Sequence, residues 1–133
     1  TTKWLTNRIE GTSEITGSIM RKYQSLKFAA CQMRFVESTR FEGSETQRTY
    51  TPNLRSLKNV NAGKNASGDW GIWLDFHENF YVMNETFGHF GRKETERKDK
   101  ITIFVDSFEK ANRIASAFAR LLELCGEEKK EPF

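Results

Sequence analysis

The fold is decided by the stretch Ile101–Gly126, which reads ITIFVDSFEKANRIASAFARLLELCG. Apolar residues alternate over its first five positions, which is the period of a strand with one buried face. From residue 108 they recur at intervals of three and four, the period of a helix with one buried stripe. The sequence therefore predicts a last strand followed directly by an amphipathic helix that closes the domain. The stripe consists of Phe108, Ala111, Ala115, Phe118, Leu122 and Cys125.

The ends of this closing helix carry their own signals. Asp106 stands three residues before Glu109, the spacing of a capping box, so we expect Asp106 to accept from the first free amides and Glu109 to reach back. Gly126 suits the position just after a helix. The closing helix is therefore expected over 107–126, with 127–133 as a frayed tail.

Upstream of the helix, alternating apolar residues predict antiparallel strands over 26–106. The clearest alternating face lies within Trp70–Phe76. His77–Asn79 is then interpreted as a tight turn, and Phe80–Met83 as the partner strand of a hairpin. The alternation changes phase at Ala30–Cys31, which we interpret as a bulge or bend within one long strand.

Turn-forming residues divide the rest of this region. Glu42–Ser44 predicts a turn before a polar strand over Glu45–Thr51, which Pro52 is expected to end. Leu54 and Leu57, three residues apart, suggest a turn-like anchor before a loop. Asn59–Asp69 is expected to be a loop because it holds glycine and asparagine residues and no bulky apolar side chain after Val60.

Two further segments are expected to lie outside the sheet. Residues 1–25 are interpreted as a short amphipathic helix over Trp4–Glu10 followed by a loop over Thr12–Ser18. Phe87–Arg97 is interpreted as a charged connection. The chain is thus expected to be one domain over 1–133, of the α+β class. Its core would be a partly open antiparallel barrel, or two orthogonal sheets, of about six strands.

Composition excludes several classes of function. The 133 residues carry 21 basic and 18 acidic side chains, a net charge of +3 without a basic stripe, which argues against nucleic-acid binding. No apolar run approaches the ~18 residues of a membrane helix, so we expect a soluble domain. Because the chain starts with Thr1 and not Met, it is expected to be either processed or a fragment of a longer protein, and we interpret it as a domain of a larger protein.

The residues that could carry chemistry form no catalytic or metal signature. His77 with Asp75 would support a hydrolase, but no nucleophile motif or phosphate-binding loop accompanies it. No cofactor or metal is expected, and the chain is interpreted as non-catalytic. Cys31 and Cys125 are expected to be buried free thiols. A disulfide, stabilising by about 3–5 kcal/mol, is the alternative for an exported chain; the location is left open, with a lean to the cell interior.

Exposed rings and charges are the candidate binding groups. Trp73 has the opposite parity to Trp70, so it is expected either to be covered by the N-terminal helix or to anchor a partner. A cluster of basic residues is interpreted as solvated charges, with a shallow patch for phospholipid head groups or phosphopeptides as the alternative. These basic residues are Arg21, Lys22, Lys27, Arg34 and Arg40.

The strand Ile101–Val105, the junction Asp106–Ser107 and the opening Phe108–Ala111 resemble the end of a pleckstrin-homology-like domain. Ala111–Phe118 is similar to the closing helix of phosphotyrosine-binding-type domains. The resemblance implies a partly open barrel of two orthogonal sheets plugged by the helix. Such families bind inositol phosphates, peptides or proteins and are rarely catalytic. Their lipid-binding residues are not carried over, because the basic pattern of the first hairpin is not evident here.

These observations predict a protein- or peptide-binding module. Its site is expected in the groove between the closing helix and an edge strand, which would accept a strand from the partner. The alternative is a barrel for a small hydrophobic ligand or lipid, with a cavity lined by Phe28, Phe35, Phe76 and Phe104. The partner and the oligomeric state are left open. The candidate binding residues are Trp73, Arg34, Lys27, Arg113 and Phe104.

Overall fold

The computed structural model describes residues 2–9, 13–16, 19–87 and 91–127. Two α-helices, seven strands and one 3-10 turn occur within them. They are, in chain order, α1 (Thr2–Ile9), β1 (Ser13–Thr16), β2 (Ile19–Ala29), β3 (Gln32–Phe41), β4 (Ser44–Tyr50), the 3-10 turn (Leu54–Ser56), β5 (Leu57–Lys64), β6 (Trp70–Phe87), β7 (Arg92–Val105) and α2 (Phe108–Glu127).

All seven strands belong to one antiparallel sheet that curls into a half-barrel. The strand order is β1-β2-β3-β4-β6-β5, and β7 also pairs with β6. The 18-residue strand β6 is shared: its first half pairs with β5 and the end of β7, and its second half pairs with β4 and the start of β7. The predicted α+β fold, with a curled antiparallel sheet and two terminal helices, is confirmed.

Helix α2 covers the concave face of the sheet over β5 and the first half of β6. Its buried stripe enters the same core cluster as the sheet residues Ile72 and Leu74. Phe118 is 0% exposed, and burying such a ring contributes roughly 1.5–3 kcal/mol. The predicted apolar seal is therefore confirmed, although Phe108 itself is exposed. The buried helix residues are Ala111, Ile114, Phe118, Leu121 and Cys125.

The ends of α2 differ from the prediction. Ser107, and not Asp106, caps the helix: the Lys110 amide donates to Ser107 Oγ at 3.2 Å. The Asp106 carboxylate instead pairs with Lys110 Nζ at 3.0 Å. The helix also runs through Gly126 to Glu127, because an exposed terminus tolerates glycine within a helix at a cost of only about 1 kcal/mol. Residues 128–133, the rest of the predicted tail, lie outside the described residues.

Two predictions about where a strand bends or ends were wrong. The phase change at Ala30–Cys31 is the turn of a hairpin between β2 and β3, in which Ala30 takes a φ of 54°. The predicted turn at His77–Asn79 is a shift of register within the continuous strand β6. The Glu42–Ser44 turn is confirmed, with Glu42 and Gly43 at φ 48° and 79°.

Three segments expected to lack strands belong to the sheet. Most of the predicted loop Asn59–Asp69 is strand β5, and most of the predicted connection Phe87–Arg97 is the start of β7. In the predicted N-terminal loop, β1 pairs with β2, which itself begins at Ile19 and not at residue 26. Residues 10–12, 17–18 and 88–90 of these segments lie outside the described residues.

The two cysteines are bonded to each other, which corrects the prediction of free thiols. Cys31 in the β2–β3 turn and Cys125 in the last turns of α2 have Cα atoms 5.8 Å apart and form a disulfide across a sequence separation of 94. Sequence spacing could not show this, because only the curl of the sheet brings the hairpin turn under the end of the helix. The bond fixes α2 to the sheet.

Candidate functional site

Strand β5 and helix α2 lie side by side at one end of the strand order. The two elements are in contact, and among the described strands β5 pairs with β6. An edge strand leaves main-chain donors and acceptors free to pair with another chain. The expected arrangement of a closing helix beside an edge strand is therefore present.

The hairpin register shows which β5 groups point outward. The Asn65 amide donates to the Asp69 carbonyl at 2.9 Å, and bonded pairs alternate along an antiparallel ladder. Gly63 faces Gly71 and Asn61 faces Trp73, so Gly63 and Asn61 bond to β6. The main-chain groups of the alternate residues therefore point away from the sheet. These residues are Val60, Ala62 and Lys64.

The concave side of this edge is apolar. Val60 is half-buried against the core, while Ala62 on the same face is exposed. At the far end, the Trp70 ring lies under Lys64 Nζ, 5.4 Å from the ring centroid. Trp70 also meets Phe108 of α2 edge-on at 5.1 Å, and Phe108 is 58% exposed. Apolar side chains of an added strand would thus find apolar neighbours here.

The convex side of the edge carries Trp73, one strand in from β5. A Cβ atom at Gly63 would lie 3.5 Å from the Trp73 ring, and one at Gly71 only 3.2 Å. The half-buried ring therefore lies across both glycines, which provide the space for it. The Trp73 side chain is therefore only partly exposed to solvent. Its ring borders the position that an added strand would take.

Phe104 lies on the same convex face as Trp73. A Cβ at Gly71 would touch the Phe104 ring at 3.5 Å, and Arg21 stands over that ring with its Cζ 4.4 Å from the centroid. The Phe104 amide donates to Tyr23 Oη at 2.5 Å. Two of the predicted site residues, Trp73 and Phe104, are thus brought together on the convex face.

The other predicted site residues lie elsewhere. Lys27 and Arg34 face each other across the β2–β3 hairpin and are both exposed. Arg113, on α2, lines a groove with Trp4 of α1 and pairs with Glu109 at 2.8 Å. The predicted set therefore divides among three places. Arg113 is also on the side of α2 that borders α1.

A polar row crosses the concave face in the second half of the sheet and was missed by sequence reasoning. Register places Tyr23, Glu37, Arg48, Asn84 and Glu94 side by side on five strands. Glu37, Arg48, Asn84 and Glu94 interrupt the apolar alternation of their strands, so the sequence pattern did not distinguish the row from solvated charge. Three buried polar atoms in or beside it lack a partner within the described part of the chain, namely Thr39 Oγ1, Arg48 Nε and Asn84 Oδ1.

Glu37 is the most buried charge of this row, at 4% exposed. Arg21 Nε lies 3.7 Å and Arg48 Nη1 3.6 Å from its carboxylate oxygens. Burial raises the pKa of Glu37 above its usual range, and the two arginines offset only part of this effect. Burial, and then the Glu37 charge, raises the pKa of Tyr50 to about 12. The Asn84 amide, donating to Glu96 at 2.9 Å, lowers the pKa of Glu96.

His77 occupies an exposed position in β6, beside the amide of Glu78, which donates to Ser56 Oγ at 2.8 Å. Among the residues that the structure describes, no group of three or more His, Cys, Asp or Glu side chains could hold a metal ion. Within the same residues, no helix has the length and apolar character needed to cross a bilayer.

Comparison with known proteins identifies no relative. No family model matches the chain, and neither a curated protein nor a solved structure matches it. The curled sheet with its C-terminal helix is compatible with a pleckstrin-homology-like fold.

Proposed function

We propose that this chain is a non-catalytic module of the pleckstrin-homology-like type that binds an extended segment of a partner protein or peptide. The partner segment adds to β5 as a further strand, in the groove between β5 and α2. The observation that carries the proposal is the position of β5, an edge strand with outward main-chain groups at Val60, Ala62 and Lys64, directly beside the closing helix.

Affinity and selectivity come from different parts of this arrangement. Main-chain pairing supplies sequence-independent affinity, and the pockets for alternate side chains supply selectivity. On the concave side, residues of the added strand contact Val60 and Phe108. On the convex side, residues pointing the other way reach the border of the Trp73 ring. The site therefore favours an extended segment with apolar residues at every second position.

The chemistry of β5 itself supports this use. Its central residues Asn59–Gly63 carry no charge and no proline, the two features that proteins use to keep an exposed edge from pairing. Lysine occurs only near its ends, at Lys58 and Lys64. An unprotected edge beside a groove is the requirement for strand addition.

The test is selection of short random displayed peptides against the intact chain, with counter-selection against Ala62→Pro. Proline removes an outward N–H at an edge position without removing a bond to β6. Selected peptides are expected to bind Ala62→Pro about tenfold or more weakly, because one hydrogen bond is lost and the ring obstructs the incoming strand. Ala62→Val, which retains the amide, is the matched control and should bind as the wild type does.

Amide hydrogen exchange supplies the decisive readout. Bound peptide should slow exchange at the outward amides of Val60, Ala62 and Lys64, and change it little at Asn61 and Gly63, which already bond to β6. Failure to enrich peptides over Ala62→Pro would reject the proposal. So would protection that lies away from β5 or that lacks this alternation.

A further inference from the structure

A groove between α1 and α2 is divided by the side chain of Trp4. On one side lies a hollow of about 470 Å³ against Asn112, Ser116 and Ala117. On the other side lies a hollow of about 340 Å³ that reaches Ser107 at the start of α2. The first hollow is shallow and open to solvent, and the second is more enclosed. The groove lies along α1, away from the proposed site at β5.

Trp4 is held in a fixed position within this groove. Helix α1 is anchored by Leu5 and Ile9, which are 0% and 1% exposed, and by Thr6 Oγ1, which donates to the Leu26 carbonyl at 3.0 Å. Arg8 stands 5.4 Å from the centroid of the Trp4 ring. A half-buried tryptophan on a rigid element loses little conformational entropy when a partner covers it, which is why tryptophan dominates interface energies.

The walls of the groove are basic. Four cationic side chains and one acid, Glu109, line the two hollows. The cations are Arg8, Lys110, Arg113 and Arg120.

Three of these cations already pair with acids on or just before α2. Lys110 pairs with Asp106 at 3.0 Å. Arg113 pairs with Glu109 at 2.8 Å and Arg120 with Glu123 at 3.0 Å, and both arginine side chains are about 60% exposed. Exposed pairs of this kind contribute about 0–1 kcal/mol, so carboxylates of a partner can replace them at little cost. The groove thus combines an apolar floor with exchangeable positive charge.

We propose that this groove binds a short acidic segment of a second partner protein. One bulky apolar side chain of that segment lies against Trp4 over the small residues Ser116 and Ala117. Carboxylates on either side of it pair with Arg113 and Arg120. We infer an acidic segment because the groove is lined by more cations than acids. We infer an apolar anchor because Trp4 and Ala117 line the hollow beside Arg113 and Arg120.

The experiment separates this site from the one at β5. Random displayed peptides are selected on the Ala62→Pro variant, in which the β5 edge is blocked, with counter-selection on the same variant carrying Arg113→Glu and Arg120→Glu. Enriched peptides are expected to be net acidic with one aromatic or large aliphatic residue. Each single Arg→Glu change should weaken their binding about tenfold, and added salt should weaken it further.

Trp4→Ala should reduce binding by a similar factor, and unfolding in urea would show whether that variant remains folded. Because Arg113 and Arg120 are exposed, their variants test the proposal even if Trp4→Ala does not fold. Lys93→Glu, the same charge change on exposed strand β7, should leave binding unchanged. The proposal is overturned if no peptide is enriched, if enriched peptides are neutral or basic, or if Lys93→Glu weakens binding equally.

Discussion

Strands β5 and β7 pair with opposite sides of β6, yet their outer edges differ. In β7 every residue over 92–100 except Thr95 is charged, and further along the Phe104 amide is bonded to Tyr23 Oη. In β5 the central residues Asn59–Gly63 are uncharged, and alternate main-chain groups point outward. Charge and side-chain caps are the usual protections of a sheet edge. Among the residues that the structure describes, the β7 edge is protected and the β5 edge is left open.

The unequal protection shows where pairing with another chain can occur. At β7, an incoming strand would displace Arg21 from the Phe104 ring and break the bond to Tyr23. At β5, it would meet no such obstacle and would gain contact with α2. This difference between the two edges favours β5 as the binding edge.

The largest effect is expected from removing the disulfide that holds α2 beside β5. Cys31→Ala with Cys125→Ala should lower the free energy of unfolding by about 3–5 kcal/mol, because the bond closes a long loop in the unfolded chain. Urea unfolding measures this change. Hydrogen exchange should increase more at Asn61 and Gly63, whose amides bond to β6, than in β7. A loss below about 1 kcal/mol would show that packing alone seats the helix.

A smaller effect is expected from removing the Tyr23 hydroxyl, which accepts a hydrogen bond from β7. Tyr23→Phe deletes the hydroxyl that accepts from the Phe104 amide and should cost about 1 kcal/mol. Exchange of the Phe104 amide should accelerate, while amides of β5 should not change. Tyr81→Phe, at a position 62% exposed, is the matched control and should be neutral. An unchanged Phe104 exchange rate would mean that β7 is protected by charge alone.

The smallest effect concerns Glu37, whose carboxylate contacts the same Arg21 that covers Phe104. Because burial raises its pKa in the folded chain, folded Glu37 retains its proton to a higher pH than unfolded Glu37, whose ordinary pKa is 4.5. The contribution of Glu37 to the free energy of unfolding should therefore fall as the pH rises from 4.5 through the pKa of Glu37 in the folded chain. Above that pKa the contribution should be constant. Urea unfolding across this range should show the slope in wild type and not in Glu37→Gln. The control Glu94→Gln, at an exposed site, should retain the slope of stability with pH. An identical slope in the wild type, Glu37→Gln and Glu94→Gln would exclude Glu37 as its source.

The sequence predicted those elements whose residues alternate between core and solvent. Ile101–Val105 and the stripe of α2 follow a strict period because one side of each is covered by the core. Strand β5 was missed because Asn59 and Asn61 face outward and Ala62 is small, so its pattern matches that of a loop. The first half of β7 was missed because its concave face meets the polar row at Asn84, and both of its sides are charged.

Two other features depend on geometry that the sequence does not encode locally. Ala30 forms a hairpin turn at positive φ without the glycine or asparagine that usually marks one. The outward groups of β5, like the pairing of Cys31 with Cys125, depend on contacts between segments far apart in the chain. The presence of an edge strand beside the closing helix could be predicted; the identity of that strand could not.

The bond between Cys31 and Cys125 turns the chain between them into a covalent ring that contains β3 through most of α2. Helix α1, with Trp4, lies outside this ring. One backbone cut between α1 and β1 would leave Trp4 joined to the ring by non-covalent contacts alone, whereas β5 would stay covalently linked to α2. The two proposed binding surfaces would thus respond differently to proteolysis.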